Sequence, residues 1–366
     1  MTTLKPKEMK KVKLAAILGT LAVSTIGWWF WGGRQEAPVK DYRRQELTVF
    51  KGVMLGHRKV EQVLEKEGEK MRTSGVNIVA IRPEYCPKNH KIALAFLGPP
   101  TTQKRLKQRY LNLIRRAHRQ GLAVFLELNA MAPGCRLKKE DLPWFMENFV
   151  AQSLEWARIA EEEQVELFSP LNEPNLIFGS DQLAFQWGKM ILPKIRAVYS
   201  GEVVFKLADM VEEGDFSGYD YLAFDVFPGP DLKEWRHQVR RAVALMSTLV
   251  AQYNLKGAFF GETGALIRRP KGTAAQLAAG AVFSESGQAQ VLETLFEESW
   301  GRVKGYFLLD WNPRSEYSFL NPQAQTVIKK WYLKTNPEVR NYIVVTTTSS
   351  WQKEEKMINS KRGTLT

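Results

Sequence analysis

A chain of 366 residues with 44% hydrophobic and 25% charged side chains has an ordinary globular composition, which excludes a wholly disordered protein. The length suits one large α/β domain, because α/β barrels commonly run to about 250 residues or more as a single unit. The formal charge of +13 is partly terminal, since residues 1–13 hold five Lys against one Glu. No nucleic-acid motif accompanies that charge, so no nucleic-acid partner is expected.

After the basic segment 1–13, residues 14–31 carry no charge and end in Trp28, Trp29, Phe30 and Trp31. That length can cross roughly 30 Å of hydrocarbon, and Trp clusters favour the membrane interface. We read 14–32 as a single transmembrane anchor. A cleaved signal peptide needs a small-residue cleavage site, which WWFWGG offers poorly. Five Lys precede the span, and Arg34, Lys40, Arg43 and Arg44 follow it. The bias favours a cytoplasmic N-terminus and a folded domain outside the cell membrane. Residues 33–45 read as a polar linker, 46–340 as the folded domain, and 341–366 as a flexible polar tail.

Within the domain, strand and helix signals alternate. Strands are expected at 47–55, 76–81, 122–128, 165–171, 201–207, 219–226, 257–261 and 303–309. Helices are expected at 60–73, 102–120, 143–163, 181–199 (kinked at Pro193), 231–253 and 324–333, with a broken helical region over 273–300 interrupted near Gly287. Eight strands separated by crossovers is the count for a (β/α)8 TIM barrel. An open doubly wound sheet competes, but no Gly-rich phosphate loop follows the first strand.

The basic helix over 102–120 carries Lys104, Arg105, Lys107, Arg109, Arg115, Arg116 and Arg119 opposite an apolar face of Leu106, Tyr110, Leu113 and Ile114. It is either a solvated outer helix or a docking face for an anionic membrane or cell-wall polymer. Cys86 and Cys135 fall just beyond the second and third strands, where a bridge and two unpaired thiols are both open readings. His57, His90, His118 and His237 are scattered, and no metal-ligand spacing appears.

In a barrel all strand C-termini open on one face, so the last residues of each strand converge. They are Arg82, Asn129, Asn172 with Glu173, Asp209, Phe227, Glu262, and Asp310 with Trp311 and Asn312. The stretch FSPLNEPN (168–175) is an apolar lead-in that stops at Glu173, because Pro174 has no N–H and turns the preceding residue away from helix. GAFFGETG (257–264) repeats the pattern and stops at Glu262. Two carboxylates, each on its own strand end, are what cleavage of a glycosidic bond requires. Glu173 is expected to be the acid/base and Glu262 the charged nucleophile, with Arg82 placed to keep Glu262 ionised. No metal or organic cofactor is called for, because the two carboxylates carry the chemistry. Taken singly, these positions have plainer readings. A lone strand-end Glu is usually structural, Asp209, Asp225 and Asp310 would hold loops, and Trp144, Trp156, Trp187 and Trp235 would be core.

Together the residues resemble a clan A glycoside hydrolase, over 47–333. Asn172-Glu173-Pro174 resembles the acid/base motif of that group, and Glu262 within FFGETG resembles its nucleophile motif. The resemblance implies that Arg82 is the strand-two arginine, that Asn172 binds the sugar 2-hydroxyl, and that Trp311 is the platform under the cleaved sugar. Asn129, Phe227 and Asp310 would complete the substrate rim. The undecorated barrel is most similar to families 113, 5 and 53, which implies hydrolysis with retention of a β-mannan, β-glucan or β-galactan type carbohydrate. Two departures stand out. Glu127-Leu128-Asn129 occupies the region where the group often has a His, and Phe227 stands where it often has a Tyr. They keep open the alternative of an inactive glycan-binding barrel or cell-envelope scaffold.

Overall fold

The structure is a computed structural model that describes residues 36–56, 59–95, 102–132, 135, 137–268 and 281–335. The expected anchor over 14–32 and the tail over 341–366 lie outside the described residues. Among the described residues, no helix is long and apolar enough to cross a membrane.

Among the described residues there are ten strands: β1 (Phe50–Met54), β2 (Ile78–Ile81), β3 (Tyr85–Lys88), β4 (Lys91–Leu94), β5 (Ala123–Glu127), β6 (Leu167–Ser169), β7 (Glu202–Leu207), β8 (Tyr221–Asp225), β9 (Gly257–Thr263) and β10 (Gly305–Leu308). The helices are α1 (Val60–Thr73), α2 (Gln103–Arg119), α3 (Leu142–Glu162), α4 (Pro174–Phe178), α5 (Asp181–Arg196), α6 (Leu232–Tyr253), α7 (Glu285–Ser299) and α8 (Pro322–Tyr332). Eight of the strands close a parallel barrel in the order β1-β10-β9-β8-β7-β6-β5-β2, which is the expected (β/α)8 architecture and removes the open-sheet competitor.

Strand alternation explains the barrel's two cores. Phe50, Ile78, Phe125, Val204, Tyr221, Phe259 and Phe307 fill the barrel interior. Their neighbours one residue along, such as Val79, Val124, Val203, Leu222, Phe260 and Leu308, meet the helices instead. Phe145, Phe149, Trp156, Trp187 and Trp235 are buried on the helix layer, as their periodicity predicts.

One local feature departs from the sequence reading. An antiparallel hairpin, β3 with β4, follows the second barrel strand, turning through Asn89 and His90, both at positive φ. A two-residue turn of that handedness matches the twist of its strands. Of the expected helical region over 273–300, residues 273–280 lie outside the described residues; α7 starts at Glu285 with Gly287 in its first turn, and Ser284 caps that start by accepting from the Gly287 N–H at 3.0 Å. Pro193 sits inside α5, which continues to Arg196.

The part of the linker that is described, 36–45, is pinned across the bottom of the barrel. Glu36 pairs with Arg116 and Arg119, Tyr42 stacks on His118 at 3.8 Å, and Arg44 donates to the Val165 carbonyl at 2.9 Å. Lys107, Arg109 and Arg115 pair with Glu155, Glu61 and Glu163. Most of the basic helix is therefore neutralised within the fold, which favours its plain structural reading over an anionic docking face.

Cys86 and Cys135 are bridged, with Cα atoms 5.3 Å apart and a sequence separation of 49. The bridge ties β3 to the loop after β5. Closing a loop of that length removes unfolded-chain entropy worth roughly 4 kcal/mol. The Cys86→Ser/Cys135→Ser variant should therefore lose up to roughly that much stability in urea titration. An unchanged midpoint would show that the bridge restrains nothing.

Candidate active site

The same alternation that fills the barrel with aromatics places charges above them. Continuing the inward positions toward the mouth leads from Ile78 and Ala80 to Arg82, from Phe125 to Glu127, from Val204 to Lys206, and from Ala223 to Asp225. On β9 strict alternation would turn Glu262 outward. Instead the β8–β9 register runs Phe224↔Phe260 and then Asp225↔Glu262, so Gly261 is an extra residue in the ladder. This β-bulge sets Glu262 directly opposite Asp225 at the mouth. A side chain at Gly261 would meet Asp225 Oδ1 at 2.7 Å and Lys206 Cε at 2.8 Å, so the bulge residue must be small.

Glu173 arrives differently. Strand β6 stops at Ser169, earlier than expected, and Pro170 begins a short loop. Asn172 is wholly buried and its N–H reaches back to the Leu128 carbonyl at 2.6 Å. Glu173 takes a left-handed conformation at φ 49° and caps α4, whose first residue is Pro174. Proline at that position needs no hydrogen-bond acceptor, so the chain turns sharply with the carboxyl facing the mouth.

The charges then sort themselves. Arg82 donates from Nε to Glu127 Oε1 at 2.8 Å and from Nη2 to Glu262 Oε1. Lys206, wholly buried, donates to Asp225 Oδ2 at 2.8 Å, to Glu262 Oε1 at 2.8 Å and to Asn172 Oδ1. Burial pushes the Glu262 carboxyl up, but Arg82 and Lys206 together outweigh it and hold it down at about 2. Glu173 goes the other way. Burial raises its pKa, Lys206 opposes that, the Glu262 charge adds to it, and the net shift is upward. Burial also drives Asp225 well up, against the pull of Lys206. The charges of Glu262 and Glu173 push Asp225 further in the same direction. A carboxyl shifted toward its acid form, Glu173, therefore shares the mouth with one held as a carboxylate, Glu262.

Of the residues named from sequence, Arg82, Asn172, Glu173 and Glu262 converge. Asp310 lines a cavity together with Arg82 and Glu262 and accepts from the Ser315 hydroxyl. Phe227 packs at 5.7 Å on Tyr317, a residue the sequence reading had not singled out. Asn129 is turned to structural use: it donates to Glu84 Oε2 at 2.7 Å and accepts from the Met131 N–H at 3.2 Å. Trp311 is a correction. It is wholly buried, edge-on to Phe319 at 5.8 Å and below Lys70 of α1, so it offers no face to a sugar. Strand β10 has ended at Leu308, and the Trp311 N–H donates to the Met54 carbonyl at 2.8 Å, which carries the ring away from the mouth. Leu309 lines the cavity instead. Missed altogether was Lys206. Glu127 and Asp225 were seen but given no part in the site. The available signal was a charge inside an apolar strand, in VVFKL, VFLEL and LAFDV.

Arg82, Glu262, Leu309, Asp310 and Glu84 line a narrow cavity of about 80 Å³ that runs between β1 and β2 toward α1 and α2. A larger groove of about 430 Å³ lies on the α5 flank beside Phe185 and Lys189, and it contains none of the candidate residues. Among the described residues, no group of His, Cys, Asp and Glu is arranged to hold a metal ion. The mouth carboxylates face Arg82 and Lys206.

The model of Glycoside Hydrolase Family 113 matches residues 61–330. Among solved structures, a complex of a family 113 β-1,4-mannanase superposes with a TM-score of 0.61 at 19% identity, covering 79% of this chain and 100% of that one. The family 113 β-mannanase of Alicyclobacillus acidocaldarius gives 0.57 at 19% identity, with coverage of 78% and 98%. A β-D-glucuronidase of Dictyoglomus thermophilum gives 0.55 at 13% identity, over 79% of this chain and 51% of its own. No curated protein sequence matches the chain.

Proposed function

The chain belongs to glycoside hydrolase family 113 and is a glycoside hydrolase; from that premise we propose that it cleaves a β-linked polysaccharide of the β-1,4-mannan type with retention of configuration. Glu262 attacks the anomeric carbon while Glu173 gives its proton to the departing glycosidic oxygen, and a glycosyl ester forms on Glu262. Glu173, now ionised, takes a proton from water, and that water's oxygen displaces Glu262 and regenerates both groups. What carries this reading is that the site pushes its two glutamates in opposite directions: Arg82 and Lys206 both hydrogen-bond Glu262 and hold it down at about 2, while burial raises Glu173. Arg82 orients Glu262, Asn172 is the group assigned to the sugar 2-hydroxyl, and Asp310, Phe227 and Tyr317 form the wall beside it. The mannan class rests on the family 113 mannanases that share the fold; β-glucan and β-galactan are the neighbouring choices.

The uncharged run over 14–31 and the Cys86–Cys135 bridge support an anchored enzyme facing an oxidising, extracytoplasmic space. The strap over 36–45 would hold the barrel bottom toward that anchor and leave the mouth pointing away from it.

The test is hydrolysis by the full chain of β-mannan, β-glucan and β-galactan oligosaccharides, with the first-formed anomer read by proton NMR. Release from mannan with an initial β-anomer is expected. An initial α-anomer would remove the nucleophile role of Glu262, and glycan binding without release from any member would remove the turnover reading.

A further inference from the structure

We propose that Lys206 is a positioning residue of this active site, a single buried ammonium that fixes the Glu262 carboxylate, the Asp225 carboxyl and the Asn172 amide in one frame. This rests on the two-glutamate reading for its meaning, but the contacts stand independently of it. An ammonium has three donors and no acceptor. Those of Lys206 meet three acceptors, Asp225 Oδ2 and Glu262 Oε1 at 2.8 Å each and Asn172 Oδ1. Glu127 Oε2 lies 3.6 Å off. An unpaired buried ammonium would lose its proton or its place, whereas one with all donors used is fixed in orientation.

The fold makes room for that frame. Lys206 comes from β7, Asp225 from β8, Glu262 from β9 and Asn172 from the loop after β6, so one side chain ties four consecutive barrel segments. The bulge residue Gly261 packs directly on the Lys206 Cε and Asp225 Oδ1, where any Cβ would collide. Asn172 also donates to Glu173 Oε2 at 3.1 Å, so the frame extends from the nucleophile to the acid/base.

The charged groups around Glu262 are Arg82 of β2, Lys206 of β7, Asp225 of β8 and Glu173 after β6, with Tyr317 near by. Arg82 is shared with Glu127. Removing Lys206 therefore leaves Glu262 with half a cation and two acidic neighbours.

The experiment is a carbon NMR titration of the full chain, labelled at the Glu side-chain carboxyls, with Glu262→Gln used to assign the Glu262 signal. In Lys206→Met its titration should move up by roughly 1–3 pH units. A signal that stays in place in a folded variant overturns the proposal. Should Lys206→Met not fold, the wild-type chain decides: a thrice hydrogen-bonded buried ammonium gives a slowly exchanging nitrogen–proton signal at neutral pH, and its absence refutes the frame. Hydrolysis is scored separately. An active enzyme with an unmoved Glu262 signal rejects Lys206 alone, whereas a moved signal in a chain that cleaves no β-glycan keeps the frame and rejects the two-glutamate reading.

Discussion

Glu262→Gln is expected to lower kcat by on the order of 10⁴-fold or more on whichever β-glycan the wild type cleaves, corresponding to about 5.5 kcal/mol of transition-state stabilisation. The amide keeps the shape of the side chain but cannot form the glycosyl ester, and it no longer answers the two cations that meet the carboxylate, Arg82 and Lys206. Glu173→Gln should behave differently. Proton donation matters in proportion to how poor the leaving group is, so the loss should be about 10²–10⁴-fold on a natural oligosaccharide. It should be much smaller on an activated aryl glycoside, where the glycosyl-enzyme would accumulate and added azide would discharge it. Steady-state and burst kinetics on the two substrate types separate these patterns. Equal losses in both variants on both substrates would mean that the roles are not divided as assigned. More than a tenth of wild-type activity in Glu262→Gln would remove it from the chemistry.

The division between what the sequence disclosed and what it concealed follows from physical range. The barrel was legible because alternation within strands and helical periodicity between them are local patterns, and eight repeats leave little choice of closure. Arg82 meeting Glu262 was legible too, since strand ends of a parallel barrel must converge. Lys206 was not. In VVFKL it reads as a charge interrupting a buried strand, and only the inward parity of Val204 and Lys206, set against Asp225 on the next strand, reveals a partner. Glu262 was located for the right reason at the wrong level of detail: its strand-end position was read correctly, but the bulge at Gly261 that faces it inward depends on register with β8 and β10. Trp311 failed for a related reason. It lies three residues past the end of β10, far enough for a backbone bond to Met54 to redirect the ring into the layer beside α1. Residue type suggested a platform, whereas chain direction decided against one.

Arg82→Met should be the costliest substitution for stability among the site residues, and its cost should depend on pH. Arg82 is largely buried between Glu127 and Glu262, so removing it leaves carboxylates in a low-dielectric site without their cation, a change of about 3–5 kcal/mol. The sign follows from Glu262. Its folded value of about 2 lies below its ordinary 4.5, so its contribution is fully present above 4.5 and is lost as pH falls through about 2. A carboxyl held that far down contributes about 3 kcal/mol. Glu173 and Asp225 act in the opposite sense: raised in the folded chain, they cost stability as pH rises past their ordinary values. Without Arg82, Glu262 can take up a proton at a higher pH and escape the unpaired charge. The gap between Arg82→Met and wild type in urea denaturation should therefore be widest at neutral pH and narrow at pH values of about 3. A gap of the same size at both pH values would show that Arg82 supports the barrel through packing alone. Its guanidinium could then not be what keeps Glu262 charged, and Lys206 would have to hold the nucleophile unaided.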